Sequence, residues 1–220
     1  MRLAASLAID RQAINQAETL GFSKVAASII PSGFEFAWPA PAIPYDPAQS
    51  RKLLGEAGYP NGFDAGDYVC ELPFASVAEA VINYLGAVGI RARLRPLERA
   101  AFGNFSREKK ATQLLHAQSA SFGNAVTRIE RHMVSGGDLA FGSYAEIDEL
   151  FRQQTGEPDR AKREALLHAI QRIASERVMF APIWQVAQLN GVRTGIDQPG
   201  IGLIDYLPYS APYEDLRVKP

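Results

Sequence analysis

The sequence has 220 residues, 47% of them apolar, enough to bury a continuous core. With 23 basic against 24 acidic side chains, its formal net charge of −1 removes nucleic acid and anionic membranes as leading partners. Cys70 is the only cysteine and can close no intrachain disulfide or thiol pair, no run approaches the ~18 apolar residues of a membrane span, and the start lacks the pattern of a secretory signal.

In chain order, Leu3, Leu7 and Ile14 predict one side of an opening helix that ends before Gly21, with Asp10, Arg11, Asn15 and Glu18 mostly elsewhere. Pro31, Pro39, Pro41, Pro44 and Pro47, interleaved with Phe34, Phe36, Trp38 and Tyr45, predict an extended surface-hugging loop over 28–47. Asp46 is a ready N-cap with Pro47 at the first helical position, Leu53 and Leu54 face inward, and Gly58 and Pro60 stop a helix over 47–57. After the turn Pro60-Asn61-Gly62 come a strand over 67–73, a helix striped by Val77, Val81, Tyr84, Leu85 and Val88, and a strand from Ile90 to Leu97 alternating with Arg91, Arg93 and Arg95. Strand, helix and strand within about 30 residues form a βαβ unit.

A polar helix over 98–109, a strand from Thr112 to Ala117 and a glycine-bearing loop from Ser119 to Gly123 follow. Ile147, Leu150 and Phe151 mark a helix near 144–154; Leu166, Ile170 and Ile173 mark another near 159–176. Met179–Trp184 and Val186–Leu189 read as strands, and the last 30 residues carry no period. The expected fold is α/β, one domain over 1–190 with a trailing arm over 191–220. Its sheet is mixed or mostly parallel, built from 67–73, 90–96, 112–117 and 179–189 with flanking helices and right-handed crossovers.

Catalytic signatures are weak. His116, His132 and His168 stand far apart with no carboxylate at ligand spacing, so no metal site and no cofactor is expected; His168 reads as solvated and His116 as a structural or ligand-contacting group. Ser106-Arg107-Glu108-Lys109 fits S-x-x-K without that pattern's partner motifs, and Gly200-Ile201-Gly202 lacks the third glycine of a dinucleotide fingerprint. The alternating arginines read as the wet face of a sheet. A hydrolase using Ser119 or Ser121 with His116 would need an orienting acid and an oxyanion site, and the sequence proposes neither.

Five collinear segments resemble one family. Arg2 to Arg11 is similar to the helix opening the C-terminal lobe of the dipeptide/oligopeptide/nickel solute-binding proteins of ABC importers, the bacterial extracellular solute-binding proteins of family 5. Tyr45 to Phe63 resembles that family's Y-D-P-x-x-A-x-x-L-L-x-E-A-G-Y-P-x-G-F stretch. Tyr144 to Phe151 with Asp148, Asp159 to Ile173 with Arg163 and Leu166 or Leu167, and Ala181 to Gln185 follow in the family's order.

The resemblance implies the C-terminal lobe of a type II periplasmic binding protein. Such a lobe is a non-enzymatic, periplasmic substrate-binding component that captures a peptide or small solute for an inner-membrane permease. It also implies a first lobe and signal peptide ahead of this sequence, against which the trailing arm would pack, and apolar surface left open at Phe34, Phe36, Trp38, Tyr206, Tyr209 and Tyr213. A scaffold protein derived from the lobe is the alternative.

Ligand contacts are expected on Ser119, Ser121, Phe122 and Asn124, with His116, Trp184 and Gln185 beside them, because that loop follows a central strand and combines hydroxyls, an amide, an aromatic and a glycine. Asn124 or Ser121 can instead cap a following helix through Arg128 and Met133. Peptide-binding members carry a tryptophan and an aspartate-rich loop here. Gln118 to Asn124 has neither, so the expected ligand is held by neutral groups and not through a free ammonium.

Overall fold

The computed structural model describes residues 1–110, 113–118, 124–187, 189, 191–198, 214 and 216–218. The chain divides into two compact units, Met1–Gln185 and Val186–Pro220.

The first unit opens on two helices, α1 (Arg2–Leu7) and α2 (Arg11–Thr19), where the sequence predicts one. Asp10 makes the break: its carboxylate accepts from the Ala13 amide at 2.9 Å and starts a new helix. Arg11 then turns inward instead of out. Its guanidinium, 3% exposed, donates to the carbonyls of Ser6, Ile9 and Pro182 and to the Ser6 hydroxyl. Burial lowers its pKa to about 10, so it stays charged at neutral pH while satisfying carbonyls at the end of α1. Leu7 and Ile14 are buried as expected; Leu3 is 45% exposed.

After β1 (Lys24–Val25), the proline-rich stretch has neither helix nor longer strand, but it does more than hug the surface. Ile30, Phe34 and Phe36 are buried, which overturns the expected exposure of both phenylalanines. Their neighbours explain why. The Arg128 guanidinium lies 5.1 Å over the Phe34 ring, and those of Arg160 and Arg163 lie 5.0 and 5.8 Å from that of Phe36. Buried Gln171 donates to the Phe36 carbonyl and accepts from the Trp38 amide, replacing the ladder bonds this segment lacks. Tyr206, Tyr209 and Tyr213 lie outside the described residues.

α3 (Pro47–Glu56) follows the predicted scheme, with Asp46 accepting from the Gln49 amide at 2.8 Å and Leu54 buried. The main sheet contains β2 (Phe63–Glu71), β3 (Ile90–Leu97) and β4 (Leu114–His116) in the order β3-β2-β4, parallel throughout. α4 (Ala75–Ala87) connects β2 to β3, so the expected βαβ unit is present. β2 starts four residues early because a bulge between Asp64 and Asp67, at Gly66 with φ +76°, hides its alternation. It stops at Glu71, where a single 3-10 turn, Leu72–Phe74, carries Pro73.

The fourth expected strand does not join this sheet. Among the described residues of 179–189 only β5 (Trp184–Gln185) forms, antiparallel to β1, because the Pro182 nitrogen cannot donate, its carbonyl is taken by Arg11, and Met179 and Phe180 pack into a second core. That core joins the proline-rich stretch to α6 (Ala125–His132), α7 (Ala145–Thr155) and α8 (Arg160–Glu176) through Ile129, Ile147, Leu167 and Ile170. The first core lies under the sheet and contains Ile14, Leu54, Tyr68, Cys70, Val81, Leu85 and Ile90. α5 (Arg99–Arg107) follows β3. In the second unit, β6 (Ile196–Gln198) pairs antiparallel with β7 (Arg217–Val218).

Two glycines bring β2 and β3 together at their starts. Gly62 (φ +74°) and Gly89 (φ +98°) pass so closely that a Cβ on Gly62 would lie 1.9 Å from the Gly89 carbonyl oxygen. The Phe63 amide donates to that oxygen at 3.0 Å. Gly62→Ala is therefore expected to cost about 3 kcal/mol or more, or to prevent folding, whereas Gly55→Ala, in open space on α3, should stabilise by up to about 1 kcal/mol. Urea unfolding followed by circular dichroism measures both.

Candidate ligand-binding edge

Three parallel strands present their C-terminal ends on one side, where α/β sheets hold ligands. That edge is formed by Glu71, Leu97 and His116, with Cys70 in register with His116 and Glu71 with Leu97. His116 lies between aromatic rings: Phe74 stacks on it at 5.7 Å and the Tyr68 hydroxyl meets its Nδ1 at 3.2 Å. Burial pushes its pKa down to about 4, leaving a neutral imidazole at pH 7. Among the described residues no carboxylate bonds this histidine, so the orienting acid of a hydrolase is not supplied there.

Asn124 closes the loop after β4. Its side-chain oxygen accepts from the Val126 amide at 3.0 Å, which makes it the N-cap of α6, and Glu35 bridges to it from the proline-rich stretch. Ser119, Ser121 and Phe122 lie outside the described residues. Trp184 and Gln185 sit in β5, paired with Val25 and Lys24, and Trp184 packs on the first core. The structure thus sets His116 and Asn124 at either end of one loop and Trp184 with Gln185 on a separate ribbon.

Other side chains that the sequence singled out have structural partners. Arg93 reaches Asp64 and Asp67, and Arg95 reaches Asp67, across an exposed face. Ser106 is buried while Lys109 donates to the carbonyls of Gly137 and Asp138, so the S-x-x-K pair points apart. His168 is half-buried, 3.8 Å from Glu164, and not on a fully solvated side. A hollow of about 170 Å³ between Leu7, Trp38, Met133, Val178 and Phe180 is smaller than the ~300 Å³ at which small-molecule sites begin and reads as loose packing.

Sequence reasoning missed Glu71, Leu72 and Phe74 at the edge. The signal was an acid at a strand's end just before a proline-bearing turn, obscured by extending that strand to residue 73.

Residues 1–138 match the family model described as "Bacterial extracellular solute-binding proteins, family 5 Middle". The chain belongs to this family. Glutathione-binding protein GsiB of Escherichia coli K12 is 28% identical over 198 residues, 83% of this chain and 38% of GsiB. GsiB of Salmonella choleraesuis is 33% identical over 134 residues, 57% of this chain and 26% of its own length. DppA from Helicobacter pylori, solved with the peptide STSA, superposes with a TM-score of 0.76 at 20% identity, over 83% of this chain and 37% of DppA. The family-5 chain therefore spans less than two fifths of the curated relatives it matches. Its fold is the expected α/β lobe of a type II periplasmic binding protein.

Two histidines, His132 buried and His116 half-buried, give this family-5 lobe an acid limit. His132 on α6 is 8% exposed with its edge against Phe180; burial, then Arg128 and Arg131, push its pKa to about 4. Both His116 and His132 are neutral when folded and ionise near 6.5 when unfolded, so their contribution is complete above pH 6.5 and is lost as pH falls toward 4. Between pH 7 and 5 each should cost about 1–2 kcal/mol of unfolding free energy, and His116→Gln should remove roughly half of the fall. Urea midpoints across that range measure it.

Proposed function

We propose that this chain is the ligand-capturing lobe of a substrate-binding component of an ABC importer, taking up a peptide or related small solute outside the inner membrane without a chemical step. The observation that carries the reading is the family-5 match over residues 1–138, which contains the parallel sheet and its C-terminal edge. GsiB is named for glutathione and DppA was solved with a tetrapeptide, which favours peptide-like ligands.

In this reading the loop from Ser119 to Asn124 and His116 form one wall, with Trp184 and Gln185 as further contacts. A second lobe closes over the ligand and excludes water, and a permease receives it. Neutral His116 and the uncharged loop suit hydrogen bonds to a ligand's backbone groups. One wall without closure binds weakly.

Replacing the matching segment of E. coli GsiB by residues 1–185 tests this. Calorimetry with glutathione and short peptides should give binding by the chimera that is at least about tenfold tighter than by the 220-residue chain, and Ser119→Ala, Phe122→Ala and Asn124→Ala together should cost about 1.4 kcal/mol or more. Equal binding by the isolated chain, or none by a folded chimera, would overturn the proposal.

A further inference from the structure

We infer that Asn61-Gly62 is a self-modification site, at which opening of the shared start of β2 and β3 converts the asparagine to isoaspartate and keeps that start from closing again. A glycine after asparagine leaves the carboxamide open to attack by the next main-chain nitrogen, because glycine sets no side chain against the five-membered ring that forms. Besides Asn61-Gly62 the sequence holds one such pair, Asn190-Gly191. Of the other described asparagines, Asn15, Asn104 and Asn124 have side chains held by hydrogen bonds, and Asn83 lies within α4 before Tyr84.

Asn61 is exposed, and among the described residues no hydrogen bond holds its carboxamide. The nucleophile is the restrained partner. The Gly62 nitrogen donates to the Tyr59 carbonyl at 3.0 Å, closing a turn with Pro60 and Asn61 at its centre, and the next amide, that of Phe63, donates to Gly89 at 3.0 Å. To reach the Asn61 Cγ this nitrogen has to leave Tyr59 and turn its peptide plane, and the Gly89 main chain stands against Gly62 where that turn would occur. The reaction therefore proceeds from the minor population in which the start of the two strands is open.

In that population solvent hydroxide takes the Gly62 N–H proton, the nitrogen bonds to the Asn61 Cγ, and the Cγ–Nδ2 bond breaks with release of ammonia. Water then opens the succinimide at one of its two carbonyls. Attack at Cγ gives aspartate, which keeps the length of the main chain and adds one negative charge at an exposed position. Attack at the main-chain carbonyl gives isoaspartate, whose chain runs through Cβ and Cγ and is one carbon longer, about 1.5 Å. That extra length falls immediately before a glycine without room, since even a Cβ on Gly62 would stand 1.9 Å from the Gly89 carbonyl oxygen. Isoaspartate at position 61 is thus incompatible with the closed start, and each conversion is a permanent record of an opening.

Incubation of the 220-residue chain at mildly alkaline pH, in buffer and in denaturing urea, provides the test. Peptide mapping by mass spectrometry follows the gain of about 1 Da at each site, and chromatography separates the aspartyl and isoaspartyl peptides. Asn61 should convert at least about tenfold more slowly in buffer than in urea, where its rate should match that of Asn190 within about twofold. After removal of urea, chains with aspartate at position 61 should regain the circular-dichroism spectrum and urea midpoint of the unmodified chain, and those with isoaspartate should not. Asn61→Asp carries the new charge on a main chain of ordinary length and should keep that midpoint. Asn61→Gln should fold and abolish the modification at this position.

Equal rates at Asn61 in buffer and in urea would overturn the gating by strand opening. Isoaspartyl chains that refold to the unmodified midpoint would overturn the blocked closure. Failure of Asn61→Asp to fold would assign the damage to charge and overturn it as well.

Discussion

The close passage of two peptide backbones at Gly62 and Gly89 sets the geometry of everything that follows in the sheet. Each glycine has a positive φ, and each is followed at once by the first residue of a parallel strand, Phe63 and Ile90. With those starts in contact, the ladder runs through the Asp64–Asp67 bulge to put Glu71 beside Leu97, and β4 joins with Cys70 opposite His116. The edge that presents the candidate ligand groups is therefore positioned from its opposite end. In a parallel pair a slip of one residue would move every side chain to the other face, burying Arg93 and exposing Leu94.

Two buried polar side chains do for the irregular segments what the glycines do for the sheet. Arg11 collects three carbonyls and a hydroxyl, joining the α1–α2 break to the approach to β5, and Gln171 takes over the main-chain bonding of the proline-rich stretch. Removing Arg11 would leave carbonyl acceptors unpaired, and removing Gln171 the Phe36 carbonyl and the Trp38 amide, at about 1–3 kcal/mol for each buried group, more than a methylene group's worth of packing. These contacts let a segment without regular structure contribute Ile30, Phe34 and Phe36 to a core. Val178 shows what that core tolerates. It occupies a left-handed position (φ 46°) after α8, where its amide bonds Ser175 and that of Met179 bonds Ala174, a helix stop usually made by glycine.

Much of this was legible in the sequence wherever local chemistry and burial agree. Asp46-Pro47 at the start of α3, the stripe of α4, the alternation of β3 and the helices α7 and α8 all follow from caps and apolar spacing. What escaped depends on contacts distant in sequence. Arg11 looks like a solvated helix residue until Ser6 and Pro182 surround it, and Phe36 looks like a surface aromatic until Arg160 and Gln171 arrive from over 120 residues away. Residues 179–183 have the composition of a strand but lose their ladder to Pro182 and to the second core. Of the candidate contacts, His116, Asn124, Trp184 and Gln185 are placed.

The alternating arginines of β3 bear on how this protein behaves in a crowd. Among the described residues β3 pairs on one side only, leaving a row of main-chain donors and acceptors facing outward over eight residues. A bare edge of that length is a template on which a second chain can add a strand. Here two copies approaching edge to edge would bring Arg91, Arg93 and Arg95 of one toward the same three of the other, and Pro96 withholds a donor near the end. Asp64 and Asp67 offset part of this charge by pairing with Arg93 and Arg95, so Arg91 and Pro96 are left as the main obstacles to self-templated pairing along the open flank of the sheet.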